Sequence, residues 1–405
     1  MAVGPATLPP LHPVKGFRLG IASAGIKKPG RKDLVLMELA EGSSVAGVFT
    51  RNAFCAAPVR ICKEHLNRAD ARYLLVNTGN ANAGTGEQGM QDALRCCEAV
   101  AETCQVAVET VLPFSTGVIG EPLPVEKILA ALDAAKANLS GDNWEAAAEG
   151  IMTTDTRPKA ASEQFEYQGK TVTLTGISKG SGMIMPNMAT MLGYVATDAE
   201  IPQPLLQQWL SRETERSFNR ITVDGDTSTN DSCMLAATGA SGVLIDGSDP
   251  ELTRLFEAAL ERVMLALAQA IVRDGEGATK FVEVRVDAAA STREALDVAY
   301  TIAHSPLVKT ALFASDPNWG RILACVGRAG VENLDLDALQ IYLNDVCIVE
   351  QGGRAASYTE EAGQAVMDGE EILIRVVLNR GEVTERVWTT DLSHDYVSIN
   401  ADYRS

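Results

Sequence analysis

The sequence predicts an α/β or α+β fold in which layered sheets pack against helices. Three observations carry that reading. Strand-like and helix-like segments alternate along the whole chain. The region after about residue 340 reads as antiparallel strands joined by tight turns. No tandem repeat or low-complexity linker interrupts the series. At 405 residues the chain has room for two or three domains, or for one large domain with a full core.

The N-terminus, "MAVGPATLPPLHPVKGF", lacks a charged start followed by an apolar run and reads as an irregular arm, not a signal peptide. "DLVLMELAEGSSVAGVFT" (33–50) reads as two strands about the turn residues Glu41-Gly42-Ser43. "ARYLLVNTG" (71–79) is a strand ending at a glycine. Met90, Ala93, Leu94, Cys97 and Ala101 then share one helical face. "ETVLPFSTGVIG" (109–120) is a short strand entering a Thr-Gly turn, and a helix follows over 125–139. Alternation marks strands at 170–178 and 191–198, with a helix from Leu205 to Phe218. The strongest helix follows Pro250, where Leu252, Phe256, Leu260, Val263, Leu267 and Ile271 form a wide apolar stripe that stops at Gly275. A strand at 280–286 and two helical stretches over 292–313 precede the last hairpins, which turn at Asn344-Asp345 and at Asn379-Arg380-Gly381.

Composition excludes several functions. With 35 basic and 53 acidic residues the formal charge is −18, and such a surface repels a phosphate backbone, so nucleic acid is not an expected partner. No apolar stretch approaches the roughly 18 residues that cross a bilayer, so no membrane association is expected and the location expected is cytoplasmic. The eight cysteines form no C-x-x-C pair and read as small core residues in a reducing compartment. The four histidines, His12, His65, His304 and His394, show no H-E-x-x-H spacing, and no G-x-S-x-G elbow accompanies them. No metal site is expected. Nucleophilic chemistry, if present, has to proceed without histidine.

Several glycine-rich stretches are candidate site material. "NTGNANAGTG" (77–86) is either a tight structural turn or the backbone lining of a substrate pocket. "STGVIG" (115–120) is an ordinary turn, or it presents an N–H and a hydroxyl together as an oxyanion hole requires. Lys179 in "ISKGSGMI" is a solvated charge or a partner for a substrate carboxylate. Glu276 in "RDGEGATK" is a loop residue or the acceptor of a substrate ammonium. "VDGDTSTND" (223–231) fails the EF-hand register, because Leu235 stands where the twelfth-position Glu is needed. It reads as a hydrogen-bonded loop near a site.

The segment "GSGMIMPNMATMLGYVATDA" (180–199) sets Thr190 between Ala189 and Met191. A β-branched residue suits a strand. The alternative is a nucleophile, whose hydroxyl needs a base. One base is covalently at hand if the Ala189–Thr190 bond is cut: the α-amine of Thr190 itself, whose reference pKa is roughly 7.7–8.0. The hydroxyl can free that amine by attacking the preceding carbonyl in an N→O acyl shift.

At these residues the chain resembles the ornithine acetyltransferase family, also called glutamate N-acetyltransferase. The likeness rests on eight blocks in order: "GNANAGTG", "PFSTGVIG", "IMTTDTRPK", "KGSGMIMPNMATMLGYVATDA", "TVDGDTSTND", "RDGEGATK", "SDPNWGRI" and "TTDLSHDYVSINADYRS". It covers nearly the whole chain, and the eight together are highly specific. The resemblance implies a self-cleaving architecture of the N-terminal-nucleophile type, shared with related aminopeptidases. It implies scission between Ala189 and Thr190 into an α chain of residues 1–189 and a β chain of 190–405. It also implies an α2β2 heterotetramer as the assembly. Thr190 becomes the acyl-accepting nucleophile. Thr116 and Gly117 become the oxyanion pair, and Thr153, Lys179, Thr190, Glu276, Asn400 and Ser405 the substrate contacts. Ser405 departs from the Thr at which family members often end, but keeps a hydroxyl and the terminal carboxylate. The reaction implied is acetyl transfer from N2-acetyl-L-ornithine to L-glutamate without a metal or organic cofactor, with acetyl-CoA as a second donor in some members. An amidohydrolase or aminopeptidase with water as acceptor, and a non-catalytic small-molecule-binding protein, are the alternatives.

Overall fold

The strand Leu34–Leu39 shows how the sequence builds its first core. Val35, Met37 and Leu39 face one apolar layer while Leu34 and Leu36 face another, the period-two pattern of a strand buried on both sides. The structure is a computed structural model and describes residues 2–185 and 191–402. It divides into two bodies, Thr7–Asn219 with Asp226–Ile271, and the N-terminal arm with Arg220–Gly225 and the chain from Val272 onward.

The first body holds, in chain order, strands β1 (Phe17–Ala22), β2 (Leu34–Leu39), β3 (Ser44–Phe49), β4 (Tyr73–Asn80), β5 (Val111–Val118), β6 (Lys159–Tyr167), β7 (Lys170–Lys179), β8 (Leu192–Thr197) and β9 (Ser232–Ala237). Among the described residues they form a four-stranded sheet, β1-β2-β4-β5, and a five-stranded sheet, β3-β9-β8-β7-β6. The two sheets pack face to face. Leu74, Val76, Leu112 and Phe114 of the first meet Ile177, Leu192, Tyr194 and Met234 of the second. The Phe114 and Tyr194 rings meet edge to face, 5.2 Å apart. Each such large apolar side chain, fully buried, contributes about 1.5–3 kcal/mol. Helices Gly86–Cys104 and Val125–Ala137 cover the outer face of the four-stranded sheet through Cys97, Val100, Ile128 and Leu132. Helices Gln203–Arg216 and Pro250–Arg273 lie on the outer face of the other sheet, where Ser178 Oγ donates to Leu267 O. The result is helix, sheet, sheet, helix, the layered α/β arrangement the sequence predicts.

The second body holds β10 (Phe281–Ala289), β11 (Gln340–Leu343), β12 (Val346–Glu350), β13 (Gly353–Arg354), β14 (Glu371–Val377) and β15 (Val383–Thr390) in one sheet, ordered β13-β12-β11-β14-β10-β15. Helices Thr292–Ala303 and Trp319–Gly327 bury Val298, Ile302, Ile322 and Val326 against it. The hairpin at Asn344-Asp345 forms as expected, with Asn344 at φ +48°. The second expected hairpin does not. β14 and β15 are separated by β10, parallel to β14 and antiparallel to β15. Val282, Val284 and Val286 bury one face of β10 completely, and the strand takes an interior place in the sheet between β14 and β15. The N–H groups of Arg380 and Gly381 both donate to Ala288 O, so the link passes over the end of β10 instead of folding back tightly.

No helix among the described residues is long and apolar enough to cross a membrane. The eight cysteines are free thiols, and Cys62, Cys96, Cys97, Cys233 and Cys325 are buried.

Candidate active site

β4 and β5 run parallel, bringing Thr78 beside Thr116 and Gly79 beside Gly117. The Thr-Gly pair expected in a turn therefore lies in the last residues of a strand. Gly117 takes φ +136°, and a Cβ there would press into the Gly79 carbonyl carbon and stand 2.5 Å from Asn80 N. Only glycine permits so close a backbone approach. Thr116 is buried. Ser115 Oγ donates to Asn77 Oδ1 at 2.6 Å, and Asn77 Nδ2 to Asn80 O at 2.9 Å, which fixes the ends of both strands.

The stretch "NTGNANAGTG" is held by its own asparagines. Asn80 Nδ2 donates to Glu121 O and Pro122 O, and Asn82 Nδ2 to Gly89 O in the helix that follows. Its first four residues finish β4 and these bonds hold the structural turn that follows, while Gly84, Thr85 and Gly86 line an open cavity with Phe54, Arg60 and Met90.

β7 ends at Lys179, which is buried and not a solvated surface charge. A carboxylate that the sequence reading did not single out organises its surroundings. Asp155 Oδ1 accepts from Gly180 N at 2.8 Å and from Lys159 Nζ at 2.6 Å, and its Oδ2 accepts from Thr153 N at 2.9 Å. Burial pushes the Asp155 carboxyl up, but the Lys159 and Lys179 ammonium groups and the Thr153 N–H outweigh it and hold it well below the usual carboxylate range. One buried anion thus ties Thr153 to the end of β7.

The dipeptide Asn230-Asp231 joins this region to the Thr116 strand. Asn230 Nδ2 donates to Ala81 O at 2.6 Å and to Ser115 O at 2.9 Å. Asp231 Oδ1 accepts from Met191 N at 3.0 Å, and Asp231 O from Thr50 N at 2.9 Å. Lys179 bears electrostatically on Asp231 as well as on Asp155. The loop read as hydrogen-bonded and close to a site is therefore a brace between β5 and the start of β8.

In the second body, Glu276 is buried and its Oε2 accepts from Asn400 Nδ2 at 2.8 Å. Helix His394–Ala401 carries Asn400 and approaches the loop closely at Gly277, where φ is +69° and a Cβ would stand 2.5 Å from both Ser393 Oγ and Tyr396 N. Ser393 Oγ donates to Gly277 O at 2.7 Å, closing the contact. The predicted site residues thus fall into two groups: Thr116, Gly117, Thr153 and Lys179 in the first body, Glu276 and Asn400 in the second. Ala189, Thr190 and Ser405 lie outside the described residues. Among the described residues, no group of three or more His, Cys, Asp or Glu side chains is arranged to hold a metal ion.

A family model described as the ArgJ family matches residues 18–405, the stretch that contains every one of these side chains. The chain belongs to the ArgJ family. A protein of Pseudomonas fluorescens (strain Pf0-1), "Arginine biosynthesis bifunctional protein ArgJ", is 62% identical over 406 residues, with 100% of both chains covered. The protein of the same description from Pseudomonas syringae pv. tomato is 62% identical over 412 residues, again with 100% of both covered. Among solved structures, an arginine biosynthesis bifunctional protein ArgJ from Bacillus halodurans is similar at a TM-score of 0.50 and 41% identity, covering 52% of this chain and 99% of its own.

In this ArgJ-family chain the residues missed by sequence reasoning, Asp155, Lys159, Asn230 and Asp231, all stand inside the blocks "IMTTDTRPK" and "TVDGDTSTND". For Asp155, Lys159 and Asp231 the signal is a charge within a motif of small, polar residues, and Asn230 carries no such signal. The Lys159–Asp155 pair is fully buried, so removing the cation strands a buried anion. Lys159→Met is expected to cost about 3 kcal/mol at neutral pH, seen as a lower Tm. Asp155 titrates below its unfolded value. The pair's contribution is therefore complete above about pH 4 and fades as pH falls below that. The Tm gap between wild type and variant should narrow in acid.

Proposed function

We propose that this chain transfers the acetyl group of N2-acetyl-L-ornithine to L-glutamate through an acetyl ester on Thr190. Full-length similarity to bifunctional ArgJ proteins supports the reaction class. The observation that carries the mechanism is the pairing of β7 with β8, in which Lys179 stands opposite Leu192. The connection between these strands contains the Ala189–Thr190 bond. Scission there leaves β7 in one product and β8 in the other, still paired as sheet neighbours. β3 and β9, likewise on opposite sides of the cut in sequence, pair as well. The two chains then stay together without a disulfide. One chain of the Bacillus halodurans structure aligns over 99% of itself with 52% of this chain, which supports a two-chain mature form.

The Thr190 amine takes the proton from its own Oγ, which attacks the acetyl carbonyl carbon. The oxyanion is met by the Thr116 hydroxyl and the Gly117 N–H, donors held rigid by the β4–β5 pairing. The C–N bond breaks, and ornithine leaves with the proton on its amine. The glutamate α-amine then attacks the ester, and the Thr190 oxygen recovers its proton. Lys179 receives the substrate α-carboxylate, Glu276 the ornithine side-chain ammonium, and Thr153, Asn400 and Ser405 complete the substrate contacts. No metal or organic cofactor enters these steps. Acetyl-CoA serves as a second donor, the mature assembly is an α2β2 heterotetramer, and the location is cytoplasmic.

The test is acetyl transfer by purified protein with N2-acetyl-L-ornithine as donor and glutamate varied. Rapid formation of N-acetylglutamate with ping-pong kinetics is expected. Hydrolysis of the donor at a rate insensitive to glutamate would overturn the proposal in favour of an amidohydrolase.

A further inference from the structure

We propose that Arg31 receives the side-chain carboxylate of the acceptor glutamate, an inference that rests on the transfer reaction proposed above and names the group that selects its acceptor. The two amino acids that use the site carry opposite side-chain charges. Glu276, given to the ornithine ammonium, repels the second carboxylate of glutamate, so the acceptor needs a cation of its own. Lys179 is given to the α-carboxylate that both substrates share. Lys159 is buried against Asp155.

Arg31 lies in the loop 23–33 between β1 and β2. Its Nη2 donates to Met152 O at 2.7 Å and to Thr153 O at 3.1 Å. Thr153, one of the substrate contacts, is thereby gripped from two sides, since its own N–H goes to Asp155 Oδ2. The two Nη2 protons are engaged by these carbonyls. The Nε–H and the two Nη1 protons make no hydrogen bond or ion pair with any described residue, and the side chain is half-buried. Three donors and a full charge with no acid beside it are thus held next to Thr153. A carboxylate suits them, because hydrogen bonds between two ionised groups are the strong ones.

The loop is fixed before any substrate arrives. Asp33 Oδ1 and Oδ2 accept the Ala24 and Ile26 N–H groups, each at 2.6 Å, and Asp33 O accepts Thr78 N at 2.9 Å. The loop also lies against Gly79, where a Cβ would stand 3.2 Å from Lys27 Cβ and 3.3 Å from Ile26 Cγ2. Gly79 is the register partner of Gly117. One short loop therefore runs from the oxyanion strand pair to Thr153. Its other basic residues are Lys27, Lys28 and Lys32, of which Lys32 pairs with Glu149. Arg31 is the one whose guanidinium is anchored at a substrate contact, and a pre-anchored cation loses little freedom on binding.

The two half-reactions separate this role from a structural one. Both substrates use Thr153, but glutamate alone brings a side-chain carboxylate. The acetyl-enzyme is formed with N2-acetyl-L-ornithine, freed of ornithine, and mixed with L-glutamate or with its neutral isostere L-glutamine, and loss of the acetyl mass is timed. Wild type should be discharged faster by glutamate. Arg31→Met should lower the second-order rate with glutamate about 10–10²-fold, the worth of a hydrogen bond to a charged group. Its acetylation by N2-acetyl-L-ornithine and its discharge by glutamine should stay at the wild-type rate, and Arg31→Lys should recover part of the loss with glutamate. Equal losses with glutamate and glutamine, or an equal loss in acetylation, would reduce Arg31 to a support for Thr153 and overturn the proposal. If Arg31→Met does not fold, the wild type still decides: discharge by glutamine as fast as by glutamate overturns it. A wild-type chain that never takes up an acetyl group refutes the transfer reaction itself, which is a distinguishable result.

Discussion

Replacing Thr190 by Ala should yield one uncut polypeptide that transfers no acetyl group. Both losses follow from one missing oxygen. Without Oγ nothing attacks the Ala189 carbonyl, so the α-amine is never released, and alanine cannot hold the acetyl ester. Loss of a nucleophile of this kind removes at least about 10⁴-fold of the rate. The fold should survive. Thr190 lies in the connection between β7 and β8, and the pairing of those strands runs from Lys179–Leu192 to Leu174–Thr197 without it. Intact mass, a transfer assay and a thermal melt read the three expectations together. Thr190→Ser, which keeps a hydroxyl, should still cut. An Ala variant that separates into two chains would contradict the account.

The second large effect belongs to Thr116. Thr116→Val keeps the β-branched shape that suits a strand and removes the hydroxyl alone. Loss of one oxyanion donor typically lowers kcat by about 10²–10³-fold. Because the bond to the oxyanion is made in the transition state, kcat and kcat/KM should fall together with KM little changed. A rise in KM at constant kcat would make Thr116 a substrate-binding residue instead. Gly117→Ala is a useful contrast. A Cβ there collides with the Gly79–Asn80 backbone, so that variant should lose stability along with activity.

The elements easiest to read in the sequence were those with a clear period. The apolar stripe of Pro250–Arg273 and the alternation of Lys170–Lys179 translate directly into a buried helix face and a sheet strand. β9 was hidden because all six of its residues, "SCMLAA", are buried, and an apolar run without alternation is not separable from a helix segment. Strand order was harder still. Glu41-Gly42-Ser43 does join two strands, yet β2 goes to one sheet and β3 to the other, with partners far away in sequence. The inserted β10 defeated the hairpin at Asn379-Arg380-Gly381 for the same reason, since local turn chemistry carries no information about a third strand.

At the site, the sequence exposed residues whose chemistry is unusual for their motif: a lysine and a glutamate beside glycines, and a threonine amid methionines. It concealed the buried partners. Asp155 and Asp231 matter through what surrounds them, a pair of lysines for the one and the Met191 N–H with Lys179 for the other. Only the folded chain brings Lys179 to bear on both.

The most direct test of the central claim is to mix the purified protein with N2-acetyl-L-ornithine in the absence of glutamate, denature it, and weigh its chains. A chain of residues 190–405 carrying one acetyl group, lost again when glutamate is added before denaturation, is the predicted result. A single full-length chain that catalyses transfer, or a cleaved protein whose 190–405 chain never gains the acetyl mass, would contradict it.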